Sequence, residues 1–203
     1  MKITKKTIIW IVLAAAAIVF LAFNMKIIGK GTEGQYTGVV AFDASASSSS
    51  DWDSVVAEIT QRAVDIQSLK SVSKDALGLG TAVRLRGTVS EYVSKAAGKK
   101  NTMTVVPEGY AGDAVFVVEL GSIYTATNAA LRDTQTAKTL TNNFTNQTEW
   151  SQYAKALNDQ SFLNVVTPLG ISEAIQGRTV TIIGAATASG ATVTVTPVSI
   201  AVE

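Results

Sequence analysis

An uncharged, apolar run of 17 residues lies near the start of the chain, at residues 7–23. As a helix it would span about 26 Å, close to the thickness of the hydrocarbon core of a membrane. Lys2, Lys5 and Lys6 precede the run, and basic flanking residues favour the cytoplasmic side. The run predicts a single-pass membrane anchor over residues 1–28, with a cytoplasmic N-terminus and an extracytoplasmic (periplasmic or cell-surface) body.

A cleaved signal peptide is the alternative interpretation of this run. Cleavage needs small residues at positions −3 and −1 after the apolar segment. Residues 21–25, Leu-Ala-Phe-Asn-Met, contain no such pair, and the first Ala-x-Ala beyond them is Ala44-Ser45-Ala46, which lies too far downstream. We therefore prefer an uncleaved anchor.

Composition restricts the chemistry open to the body. The chain of 203 residues contains neither Cys nor His, which excludes thiol nucleophiles, thiolate metal sites, Ser-His-Asp triads and the usual ligands of zinc, copper and haem. Its 17 basic and 16 acidic residues nearly balance, whereas a nucleic-acid partner would require a basic face. We expect no catalytic residues, metal or cofactor, no nucleic-acid partner, and a chain that is not an enzyme.

The residues after the anchor divide into a spacer and a domain. Residues 29–50 are rich in Gly, Ser and Ala, which predicts a flexible linker. Ser50 and Asp53 resemble a capping box, and an apolar stripe at helical spacing runs from Trp52 to Leu69, so a helix should extend from Ser50 to about Ser71. The extracytoplasmic domain is thus expected over residues 51–203.

Five stretches of the domain have the pattern of strands. These are residues 83–91, 102–106 and 114–120, and then 179–184 and 192–200. Helical sequence lies between the third and fourth stretches. Three strands, a helix and two strands is the chain order of the five-stranded Greek-key OB barrel. The predicted fold class is α+β, an OB-like barrel with added helices, and a small mixed α+β sandwich is the competing architecture.

Two segments resemble a known family. Gly121–Asp133 is similar to the form Gly-Pro-x-x-x-Gly-Thr-Ala-Leu-Arg-Asp, and Phe144–Asn158 is similar to Phe-Thr-Asn-Gln-x-Glu followed by an aromatic residue and a later Ala-x-Ala-Leu-Asn. Both forms are typical of the DUF2291 family of predicted periplasmic lipoproteins. The resemblance implies an extracytoplasmic protein that accompanies sugar-uptake ABC transporters, and it implies no particular reaction.

The chain departs from the family pattern at two places. Met25-Lys26-Ile27-Ile28 stands where many relatives would have Cys-Lys-Ile-Val, so lipidation is not expected here and the membrane helix must anchor the chain alone. In the first motif Ala126 replaces a Gly and Asn128 is inserted.

Several polar residues near these motifs are candidates for binding a ligand or partner. They are Arg132, Asp133, Asn143, Asn146, Gln147 and Glu149. An Arg with several amides can bind a hydroxyl-rich or carboxylate ligand through paired hydrogen bonds. The alternative, which we favour, is that Arg132 pairs with Asp133 to fasten a helix to the barrel and that Asn146 is an N-cap.

A few further residues bear on catalysis and packing. Asp113, Glu119 and Glu149 are the best carboxylates for acid–base work, but none belongs to a closely spaced pair. Trp150, Tyr153 and Leu157 lie on one helical face and are expected to pack inward.

These features predict a membrane-anchored accessory or binding module, held to the membrane by residues 7–23 and working beside a sugar-type ABC uptake system. The alternatives are a receptor that binds a sugar-like solute in the barrel mouth and a carboxylate-dependent hydrolase of the cell envelope.

Overall fold

Strands with alternating buried and exposed residues build the core of the fold. The computed structural model describes residues 42–69, 72–94, 101–121, 129–135 and 144–203. Its strands are β1 (Val64–Asp65), β2 (Thr81–Val93), β3 (Thr102–Pro107), β4 (Val115–Glu119), β5 (Thr179–Ser189) and β6 (Thr192–Val202). The five long strands lie where the sequence predicts them, but β4 is one residue shorter at each end and β5 continues beyond residue 184 to Ser189.

The order of these strands closes a barrel. They are hydrogen-bonded in the order β2-β3-β4-β6-β5, and β5 returns to pair with β2. The β4–β6 pair is parallel and the other pairs in the barrel are antiparallel. This is the Greek-key order of the OB barrel, which confirms the predicted barrel and rules out the two-sheet sandwich. The short β1 adds to β2 in parallel.

Aliphatic and aromatic side chains fill the interior of the barrel. Every second residue of each strand points inward, as the pleat of a strand requires. The most deeply buried of these are Val83, Leu85, Met103, Val105, Phe116, Val118, Val180, Ile182, Val193 and Val195, each 0–1% exposed. A solute would therefore have to bind outside this packed interior.

Helices cover one side of the barrel. They are α1 (Ala44–Arg62), α2 (Lys74–Leu77), α3 (Ala130–Asp133), α4 (Gln147–Ser161) and α5 (Thr167–Leu169), with one π-helical turn at Phe162–Val166 and 3-10 turns at Ile66–Ser68 and Glu173–Ile175. The apolar stripe of α1, which includes Trp52, Val55 and Ile59, is buried, and α1 packs against α4. The Ser161 hydroxyl donates to the carbonyl oxygen of Pro197 and links the end of α4 to β6.

The first helix differs from its prediction at both ends. It begins at Ala44 because Asp43 is the N-cap, with its Oδ1 accepting from the backbone N–H groups of Ser45 and Ala46 at 3.0 Å. Residues 44–50 are therefore helix and not linker. The helix ends at Arg62 because the next residues are extended and Val64 pairs with Val83 of β2. The compact unit accordingly starts at Asp43.

The predicted anchor, residues 7–23, and most of the predicted linker lie outside the described residues. Among the helices of the described part, none has the length and apolar character needed to span a membrane. The anchor therefore stays a prediction from the sequence.

Candidate functional site

Arg132 joins two helices through its whole guanidinium group. Its Nε and Nη2 lie 2.7 and 2.6 Å from Asp133 Oδ1, and its Nη1 donates to the carbonyl oxygen of Trp150 at 3.1 Å. The same guanidinium lies 4.4 Å from the centre of the Trp150 ring, a favourable cation–π distance. Because each of its nitrogens has a partner within the protein, Arg132 links α3 to α4, and these contacts account for its position without a ligand.

The start of α4 is held by a reciprocal cap. Asn146 Oδ1 accepts from the backbone N–H of Glu149 at 2.9 Å, as an N-cap should. The Glu149 carboxylate accepts from the backbone N–H and hydroxyl of Thr145 at 2.7 and 2.8 Å, and from Asn146 Nδ2 at 3.2 Å. These hydrogen bonds, chiefly the one from the Thr145 backbone, lower the pKa of Glu149. A general acid would need a raised pKa, so the cap explains this carboxylate better than catalysis does.

Gln147 and the apolar residues of α4 are the remaining described features of this segment. Gln147 is the first residue of α4 and is exposed, and Asn143 lies outside the described residues. Tyr153 and Leu157 are buried as expected, at 1% and 0% exposed. Trp150 was predicted to pack inward, but the structure buries it only in part. It lies in the first turn of α4 and is only partly covered, by Arg132 and by the ring of Phe144 at 5.2 Å.

The three carboxylates considered for acid–base work lie near the two ends of β4 and in the first turn of α4. Asp113 lies before β4 and Glu119 ends it, and the five residues of the strand span roughly 13 Å. Glu149 lies in the first turn of α4. The hydrogen bonds from Thr145 that hold Glu149 at the start of the helix argue against its use as the acid of a glycoside hydrolase.

The outer surface of β3 and β4 carries exposed aliphatic side chains. Val106 is 58% exposed and Val115 is 46% exposed. The register that pairs Val105 with Phe116 places Val106 and Val115 next to each other across the two strands. We define the valine face as these two residues with their outward neighbours Val117, Thr88, Thr104 and Thr192. It is a small apolar surface bordered by hydroxyl groups.

Comparison with known proteins gives a family. The model of the DUF2291 family, described as predicted periplasmic lipoproteins, matches residues 13–201. The chain belongs to the DUF2291 family. No curated protein matches it. Among solved structures it is similar to an OB-fold protein of Thermotoga maritima, with 12% identity, a TM-score of 0.49 and coverage of 80% of this chain and 99% of that chain. The OB assignment of this DUF2291 protein rests on its own strand order.

One carboxyl group was not singled out from the sequence. Asp159 lies in the last turn of α4, where its Oδ1 is buried and has no hydrogen-bond partner within the described part of the chain. Burial raises the pKa of Asp159, and the nearby Lys155 partly opposes the change. The sequence shows only a polar residue on a helix, because its burial depends on residues that are distant in the chain.

We expect Asp159→Asn to stabilise this DUF2291 protein at pH 7. The pKa of Asp159 is higher in the folded state than in the unfolded state, so the folded state binds more protons between the two values. The contribution of Asp159 to the stability of the wild type is therefore most favourable below the ordinary Asp pKa. It is lost as the pH rises through the pKa of Asp159 in the folded state. Unfolding midpoints of both proteins from pH 3 to 8 should diverge toward neutral pH. Parallel curves would contradict the assignment.

We expect Asn146→Ala to cost about 1 kcal/mol of stability, the usual value of an N-cap. The variant loses the hydrogen bond to the Glu149 backbone, while Gln147→Ala, one residue further on, removes only an exposed side chain. Urea unfolding of the two variants measures the difference. If Asn146 served a ligand and not the helix, Asn146→Ala would unfold at the wild-type midpoint.

Proposed function

We propose that this chain is a membrane-anchored, extracytoplasmic accessory module that is not an enzyme and binds a protein of the cell envelope. The family of predicted periplasmic lipoproteins supports its location. The use of Arg132, Asp133, Asn146 and Glu149 in internal contacts argues against a ligand site built on them. The observation that carries the proposal is the exposed valine face.

The chemistry of this face suits a protein partner. Val106 and Val115 leave roughly half of their surface in water, and covering apolar surface gains about 25 cal/mol per Å². The six residues of the face include neither an aromatic ring nor a basic group. Single-stranded nucleic acids bind mainly by stacking on rings and by charge, so this face does not favour them.

We further propose that the partner is a component of a sugar-type ABC uptake system. This part of the proposal depends on the association that the family resemblance implies. A sugar-like solute bound in the barrel mouth is less well supported because apolar side chains fill the interior. A carboxylate-dependent hydrolase is less well supported because hydrogen bonds from Thr145 hold Glu149 at the start of α4 and lower its pKa.

Co-purification tests the valine face directly. The full chain with Val106→Asp and Val115→Asp should lose its membrane partner, because two carboxylates would be buried at the contact. Leu79→Asp is the matched control, since Leu79 is 74% exposed and lies in the loop before β2. Val106→Thr with Val115→Thr keeps the β-branched shape of both side chains. A loss of the partner by this variant can therefore be separated from misfolding. Retention of the partner by both double variants would refute the proposal.

The anchoring part of the proposal has its own test. Protease added to intact spheroplasts should digest the domain beyond about residue 43, because three lysines before the apolar run favour a cytoplasmic N-terminus. Lysed spheroplasts are the control for protease access. Full protection of the domain in intact spheroplasts would reject this orientation.

A further inference from the structure

A groove of about 270 Å³ lies at the end of the barrel where β5 starts and β6 ends. One part of its wall is the connection between α5 and β5, and the other is Val202, the last residue of β6. Gly170 ends α5 in the left-handed region, with φ 54°, which turns the chain away from the helix. The turn of the backbone at Gly170 therefore forms part of the wall of the groove.

The walls of the groove are aliphatic. Leu169, Ile171, Ile175 and Val202 line it, and of these Leu169 is 43% and Val202 40% exposed. Covering large aliphatic side chains of a concave surface with an apolar group of a ligand stabilises the complex. The volume is below the range typical of drug-sized ligands, so a small apolar group fits best.

Two polar groups of the groove have unused hydrogen-bonding capacity. Arg178 Nε donates to the backbone oxygen of Glu203 at 2.8 Å, which holds the side chain beside the end of β6. Within the described part of the chain, the Nη nitrogens of Arg178 and the Ser172 hydroxyl have no hydrogen-bond partner. The Glu203 carboxylate is bound by Arg86 at 2.7 Å.

From this arrangement we propose that the groove binds a carboxylate carried on a short aliphatic group. The guanidinium is a fork of donors that matches a carboxylate, and the aliphatic walls match a short hydrocarbon chain. A sugar is disfavoured because the residues that line the groove include no aromatic ring to stack on. The ligand is either a free short-chain carboxylate or the C-terminal aliphatic residue of a peptide. This site is separate from the valine face.

Calorimetric titration of the full chain distinguishes these ligands. Hexanoate represents the free carboxylate, N-acetyl-leucine represents a peptide C-terminus, and hexanol has the chain without the charge. Binding of either acid, with hexanol at least about tenfold weaker, supports the site, because a charged hydrogen bond is worth that factor or more. Binding of one acid alone identifies the source. No binding of either acid, or equal binding of hexanol, overturns the proposal.

Variants with matched controls locate the binding. Arg178→Gln should weaken hexanoate about tenfold, while Arg84→Gln, which removes the same charge from an exposed position paired with Asp65, should not. Leu169→Asp should abolish binding by repelling the carboxylate, while Leu163→Asp, at a 50% exposed residue that does not line the groove, should not. Unfolding midpoints confirm that each variant is folded. Equal affinity of Arg178→Gln and wild type would overturn the proposal.

Discussion

Replacing Tyr153 by Ala should lower the free energy of unfolding by about 3–5 kcal/mol, the range for large buried aromatic residues. Tyr153 is 1% exposed, and its ring lies 5.1 Å from that of Phe144. Its hydroxyl donates to Asp51 Oδ2 at 2.8 Å and so joins α4 to α1. Burial, with the Asp51 carboxylate, raises the pKa of Tyr153 well above its ordinary value, so the phenol remains a donor at all ordinary pH values.

Tyr153→Phe separates the two contributions of this side chain. It keeps the packed ring and loses only the hydrogen bond, so we expect a cost of about 1–2 kcal/mol. Urea denaturation of the wild type and both variants gives the free energies, provided that the dependence on urea is unchanged. Equal effects of the Phe and Ala variants would show that the ring does not pack as the structure indicates.

Gly87→Ala should cost about 3 kcal/mol, at the upper end of the range for overpacking. Gly87 lies where β2 passes from one partner to another, since it pairs with Val180 of β5 and with Pro107 of β3. A Cβ at this position would collide with the carbonyl oxygen of Val106 and come within 2.8 Å of the Pro107 Cα. These are backbone atoms of a paired strand, which cannot move aside without breaking the sheet.

Thr88→Ala is the control for this prediction. It removes an exposed side chain from the next residue of the same strand, and we expect an effect within about 0.5 kcal/mol. Thermal unfolding of both variants makes the comparison. A Gly87→Ala protein as stable as Thr88→Ala would mean that β2 and β3 approach each other less closely here than the structure shows.

The parts of the structure that were predicted correctly are determined by residues that are close together in the sequence. The alternation of β-branched and polar residues identified the five long strands, because the pleat of a strand sends successive side chains to opposite faces. Asn146 was predicted as an N-cap because the hydrogen bond it makes reaches only three residues along the chain. The boundaries of α1 were harder, since Asp43 and Ser50 both suit an N-cap and β1 has only two residues.

The internal contacts of Arg132 and Asn146 were predicted, but the element that Arg132 reaches was not, because it contacts α4 and not the barrel. Arg132 and Asp133 were expected to pair, and they do. The other hydrogen-bond partner of Arg132, the carbonyl oxygen of Trp150, lies 18 residues further along the chain, and no local sequence pattern predicts this contact. Trp150 itself has the spacing of a core residue, yet its exposure depends on how far neighbouring helices extend over it. The burial of the Asp159 Oδ1 atom likewise depends on residues that are distant in the chain.

The sequence alone determined the strands, the cap of α4 and the absence of Cys and His, because each depends on residue types or on contacts within a few residues. Only the tertiary structure decided why position 87 must be Gly and that the groove beside Arg178 and the valine face remain open. Those features arise from contacts between residues far apart in the chain, such as Gly87 with Val106 and Val180, and their energies are set by how closely the paired backbones approach.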